Sequence, residues 1–179
     1  MKVIKWAVII LAILGIGGYA WFNYMVSETK KASPEAKAKL KERDLELAVS
    51  YCRPYKKERK IFGELVPYGE VWRTGANEAT TFSTSKDISF GGEAVAAGEY
   101  SLWTIPEETE WTVILNSKAY PWGVGWDGKA TREAEFDVAN VKVPVGNTAQ
   151  TVEQFSISFS ESGNMVFEWD NVRTEVRID

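Results

Sequence analysis

Two hydrophobic periodicities divide the chain. Between Trp6 and Val26 there are 21 consecutive residues without a charge. As a helix rising about 1.5 Å per residue, this run spans roughly 31 Å, the thickness of a bilayer's hydrocarbon core. Trp6 near one end, and Trp21, Phe22 and Tyr24 near the other, sit where interfacial aromatics belong. Gly18-Tyr19-Ala20 would suit a signal peptidase, but the apolar run continues past it, which favours a retained anchor over residues 1–26. No cysteine follows the run, so a lipid-modified terminus is not expected.

The next segment changes character. Ser33-Pro34-Glu35 has the form of a helix start, with a serine cap, proline at the first helical position and an acid in the first turn. Alanine, lysine and glutamate dominate up to Asp44, so residues 27–44 are expected to be a charged helical stalk. From Leu45 the period becomes two. Leu45, Leu47, Val49 and Tyr51 alternate with Glu46, Ala48 and Ser50, the pattern of a half-buried strand. Further short strands are expected at 87–90, 93–96, 99–105, 110–116, 135–143, 152–160, 164–170 and 172–178. Turns such as Gly91-Gly92, Ala97-Gly98 and Glu161-Ser162-Gly163 separate them. Eight or nine short strands without a helical period predict an all-β domain over 45–179, a single β-sandwich or flattened barrel.

Composition narrows the chemistry. The chain has 179 residues, no histidine and one cysteine, Cys52. Histidine-dependent catalysis, the common zinc and iron sites and an intradomain disulfide are therefore excluded, and no metal or cofactor is expected. Charge is uneven. Glu28 to Lys60 carries eleven Lys/Arg against six Asp/Glu, whereas Ile61 onward carries eight against nineteen. So acidic a domain is not built for nucleic acid.

The stretch Ile61–Phe82 is too rich in glycine and polar residues for a plain strand. It offers Arg73, Asn77 and Glu78 as a clamp in which the guanidinium forks onto a carboxylate or phosphate, with Trp72 beside it. The competing reading is internal pairing of Arg73 with Glu78 or Glu70. Tyr120, Trp122 and Trp126 lie in a Gly-rich loop, where aromatic faces either stack on sugar rings or close one end of a sandwich. Glu70 and Glu78 supply a rival reading, the carboxylate pair of a hydrolase acting on envelope sugars.

Tyr51-x-Arg53-Pro54, followed by Arg59-x-Ile61-Phe62-Gly63-x-Leu65-Val66-Pro67-Tyr68-Gly69-x-Val71-Trp72-Arg73-Thr74-Gly75-Ala76-Asn77-Glu78, resembles the signature of the family of domain of unknown function 2911. Ala97-Gly98-x-Tyr100-Ser101-Leu102 and Glu110-Trp111-Thr112-Val113-Ile114 fit the same pattern. The resemblance covers about residues 45–159. Cys52 departs from it where a small residue such as serine is common, and Glu58 departs where glycine is usual. The resemblance implies an exported, anchored bacterial envelope protein and assigns no catalytic residue. It also decides orientation. Lys2 and Lys5 place the N-terminus inside, whereas Lys30, Lys31, Lys37, Lys39, Lys41 and Arg43 pull the other way.

The expectation is thus a single-pass protein of the bacterial cytoplasmic membrane, held by residues 6–26, with its domain on the periplasmic or outer side. Its expected role is that of a non-catalytic module binding a glycan or an envelope protein through Arg73, Asn77, Glu78, Trp72, Trp122 and Trp126.

Overall fold

The computed structural model describes residues 2–179, so Met1 of the expected anchor lies outside it. It divides into a helical unit ending at Ala32 and a compact unit, Ser33–Asp179. The helix α1 covers Lys2–Ala32, and its stretch Ile4–Ala32 is long and apolar enough to cross a membrane. Such a helix could anchor the protein, and its side chains from Ile9 to Met25 are exposed, as those of a lipid-facing span would be.

The expected charged helical stalk is not formed. The helix runs on to Ala32, and Glu35–Glu42 is a strand, β1, paired antiparallel with β2 (Leu45–Cys52). The reason is tertiary. Ala36, Ala38 and Leu40 pack against the core while Lys37, Lys39 and Lys41 point outward, and the partner edge of β2 overrides helix propensity. The body of the domain therefore begins at Ser33 rather than at Leu45.

The domain is all-β, as the alternation predicts. Seven strands form one curled sheet in the order β1, β2, β3 (Thr80–Thr84), β6 (Gly98–Pro106), β7 (Glu110–Asn116), β8 (Asp137–Phe159) and β9 (Met165–Val176). A small hairpin of β4 (Ile88–Phe90) and β5 (Glu93–Val95) stands apart, bridged to the C-terminus through Phe90 and Ile178. The two strands expected at 135–143 and 152–160 are one, β8. Its first part pairs with β7 and its remainder with β9, with irregular register between Asn147 and Ser156. That bend curls the sheet. The far part of β8 returns to the chain leaving β2, where the Lys56 amide donates to Glu153 O (2.7 Å) and the Phe155 amide to Pro54 O (3.0 Å). Tyr51 reinforces the closure, donating its hydroxyl to Ile157 O (3.0 Å) and accepting from the Ile157 amide (2.8 Å).

Inside the curl, the crossover from β2 to β3 is fixed by aromatic packing. The Trp72 ring lies almost parallel to Trp169, with centroids 5.9 Å apart at 16°, and meets Phe155, Trp111 and Phe62 edge-on. Its main chain exchanges two hydrogen bonds with Thr104 of β6. Trp72 is thus half-buried and packed against the core, with its ring engaged by other aromatics. Replacing it with alanine is expected to cost about 3 kcal/mol, the low end of the range for deleting a core aromatic, because Trp72 is half-buried. Urea unfolding followed by far-UV circular dichroism checks this, and a cost below about 1 kcal/mol would remove Trp72 from the core.

Candidate functional site

Two residues shortly after Trp72 leave ordinary backbone geometry. Thr74 adopts φ +54° and Asn77 φ +59°, both in the left-handed region that a β-branched residue strongly avoids. Gly75 between them, at φ +150°, lies so close to β2 that a Cβ would come within 2.8 Å of the Cys52 carbonyl oxygen. Hydrogen bonds hold this corner. Trp72 Nε1 donates to Gly75 O (3.2 Å), Thr80 Oγ1 to Thr74 O (2.8 Å), and Thr74 Oγ1 to Thr104 Oγ1 (3.1 Å). Thr74, Gly75, Ala76 and Asn77 are all buried. Strain of this kind, about 1–3 kcal/mol per residue, persists only where surrounding contacts over-determine the backbone.

The corner projects Arg73 under the loop that follows β7. Its stem lies against Gly123, where a Cβ would fall 2.3 Å from Arg73 Cδ, so only glycine fits. The Gly123 amide donates to Asn77 O (3.0 Å), tying loop and corner together. Arg73 Nε is buried without a hydrogen-bond partner, and burial pulls the guanidinium below its ordinary value. No carboxylate among the described residues forms an ion pair with it. The internal pairing with Glu78 or Glu70 is therefore not what holds Arg73. Glu78, half-buried nearby, accepts from Cys52 Sγ at 3.4 Å. Asn77 is buried within the same corner.

The loop itself is well built. Tyr120 meets Trp103 edge-on at 5.4 Å, over a second small core of Ala79, Trp103 and Ile114 on the outer side of the sheet. Arg132 forms a fork onto Asp137, Nε to Oδ1 at 3.0 Å and Nη2 to Oδ2 at 2.5 Å, and closes the loop's base. Trp122 is half-buried, its carbonyl oxygen accepting from Thr131 Oγ1. Trp126, on a turn closed by the Gly128 amide donating to Gly125 O, is fully exposed.

Arg73, Asn77 and the Trp122 loop are thus brought together, with Glu78 beside Cys52. Trp126 stands apart at the tip. Glu70 lies in an exposed turn secured by the Gly69 amide to Pro106 O, a different support from that of Glu78. Gly123 and Cys52 were not singled out as site residues by the sequence. A glycine between two tryptophans reads as turn punctuation until the side chain that crosses it is placed. Among the described residues, no three His, Cys, Asp or Glu side chains are grouped to hold a metal ion.

The chain belongs to the family described as "Protein of unknown function (DUF2911)", which matches residues 33–178. No curated protein and no solved structure matches it. The match includes β1, in agreement with a domain that starts at Ser33. The departure at Glu58 is absorbed without loss of the turn. Lys57 and Glu58 take φ +49° and +59°, and the Arg59 amide still donates to Lys56 O at 3.1 Å.

The departure at Cys52 has a measurable consequence. Burial, and then the Glu78 carboxylate, push its thiol from about 9 up to about 11. The folded state therefore holds this proton more tightly than the unfolded chain does. The resulting stabilisation is complete below about pH 9 and is lost as pH rises towards 11. In urea unfolding across that window, the wild type is expected to lose stability more steeply than Cys52→Ser. Equal slopes would show that the thiol is not held protonated.

Proposed function

We propose that the domain is a non-catalytic binding module for an acidic glycan, free or carried on an envelope protein. It would be held on the outer side of the bacterial cytoplasmic membrane by α1. The observation that carries this reading is Arg73, a half-buried guanidinium whose Nε is buried without a hydrogen-bond partner and which forms no ion pair among the described residues, next to the strained Thr74 and an aromatic loop. Burying a cation without a counter-charge is costly, and a ligand carboxylate or phosphate would supply the missing charge in a forked geometry. Asn77 and Glu78 would meet polar groups of the sugar, and Trp122 and Trp126 would offer aromatic faces to its ring. The hydrolase alternative draws on Glu70 and Glu78. Their separate supports give it no comparable anchor, and carboxylates are plentiful in so acidic a domain.

Two experiments test the proposal. Isothermal titration of the full-length protein in phosphatidylcholine nanodiscs, with digalacturonate and its neutral counterpart, should give binding to the acidic sugar only. Arg73→Gln should weaken that binding by about 10- to 100-fold, the range for a hydrogen bond to a charged group. Unchanged affinity in a folded Arg73→Gln protein would remove the clamp. For the location, protease added to intact spheroplasts should degrade the domain and leave the anchor. Protection until the membrane is opened would place the domain inside.

A further inference from the structure

The outer face of the curled sheet is covered over only part of its width. Over β6 and β7, Trp103 and Ile114 lie beneath the loop carrying Tyr120 and Ala130. Over β1, β2 and β3 the same face is open. Two hollows of about 300 and 420 Å³ follow one another along it. Their floor is made of small residues in register, Ser50 opposite Thr81 and Ala48 opposite Ser83. Lys37 stands beside Ser50 and Lys39 beside Ala48.

Because β1 is a strand, Lys37, Lys39 and Lys41 share one face, with neighbours about 7 Å apart. Lys41 is bound to Glu46. Among the described residues, Lys37 and Lys39 form no ion pair and the hydroxyls of Ser50, Thr81 and Ser83 form no hydrogen bond. At one end the trough reaches Cys52 and Glu78, the pair beside Arg73, with Glu35 adding an acid there.

We propose that this trough is a second subsite, which takes the continuing chain of a linear acidic oligosaccharide. The proposal rests on the reading of the Arg73 corner as a site for an acidic sugar and extends it along the sheet. Lys37 and Lys39 pair with successive acidic groups, and the free hydroxyls on the floor exchange hydrogen bonds with those of the sugar. Glu35 and Glu78 confine the acidic groups to the lysine side. The positive charge offered to the ligand is that of Lys37 and Lys39, since Lys41 is taken by Glu46, and Glu35 lies opposite Cys52 at the other end. A hollow with a polar floor beneath its cations suits a chain laid into it better than a flat layer of lipid headgroups.

The test uses the full-length protein in phosphatidylcholine nanodiscs, titrated with galacturonate oligomers of two and six units. The hexamer should bind about three- to tenfold more tightly than the dimer, the gain expected from two further exposed ion pairs. The double variant Lys37→Ala/Lys39→Ala should abolish that gain and leave the dimer's affinity unchanged. Arg73→Gln should weaken both ligands by one common factor. If Arg73→Gln has no effect while the lysine variant still loses the hexamer's advantage, the Arg73 site falls and the trough stands. Equal affinity for the two lengths, a gain that survives in the lysine variant, or no binding of either ligand overturns the proposal. So does protection of Lys37 and Lys39 from acetylation by phosphatidylglycerol in the nanodisc, which would assign this face to the bilayer.

Discussion

The contact between Trp72 and Trp169 joins parts of the chain that no hydrogen-bond ladder connects. Trp72 belongs to the crossover between β2 and β3, whereas Trp169 lies on β9 at the far end of the sheet order. Their rings stack at 5.9 Å, with Phe155 of β8 and Trp111 of β7 filling the flanks. Each aromatic pair contributes about 0.5–1.5 kcal/mol beyond its buried area, so the cluster is a main term in holding the curl closed. It also fixes where the crossover lies. A ring that must lie against three strands at once leaves its backbone little freedom.

That restriction explains the corner which follows. With Trp72 seated and its main chain paired to Thr104, the chain must reverse within a few residues to enter β3 at Thr80. The left-handed Thr74, the close approach of Gly75 to Cys52 and the left-handed Asn77 are how it does so. Arg73 follows directly from this geometry. It lies between a ring packed against the core and a threonine in a strained conformation, and it forms no ion pair among the described residues. Its stem is pressed against Gly123, and its Nε is left without a partner. The desolvation of Nε is a consequence of the packing, and under the proposed function it would spare the ordering cost that a flexible surface arginine pays on binding.

Much of this was legible in the sequence, and the rest was not for identifiable reasons. The alternation of Leu45, Leu47, Val49 and Tyr51, and of Trp111, Val113 and Leu115, gave β2 and β7 nearly to the residue, because a half-buried strand imposes a strict period. The polar cluster at Arg73 and Asn77 was visible as residue types, but its state was not. Whether an arginine finds a carboxylate depends on residues distant in sequence, here Gly123 and Cys52. The packing of Trp72 was hidden for a related reason, since an aromatic in an irregular stretch can face either way until its neighbours on β7, β8 and β9 are known. The fusion of two expected strands into β8 was hidden because its bend occupies the polar run Asn147–Thr151, which reads as a loop.

The misreading of β1 has the most functional weight. Residues 35–42 have the composition of a helix, and only their alternation, alanine or leucine against lysine, speaks for a strand. In a helix, Lys37, Lys39 and Lys41 would be spread around much of the circumference and would act as a diffuse charged stalk. In a strand they become a single row. This has two effects from one arrangement. Like charges along an exposed edge strand oppose pairing with the edge of another molecule, which protects β1 from aggregation. The same row flanks a stretch of the sheet's outer face where hydroxyl-bearing and small side chains lie next to cations. A purely protective role needs the lysines alone, and bulkier neighbours would serve it equally well. The small residues of β2 and β3 that hollow out the face beside them are what point from protection towards binding.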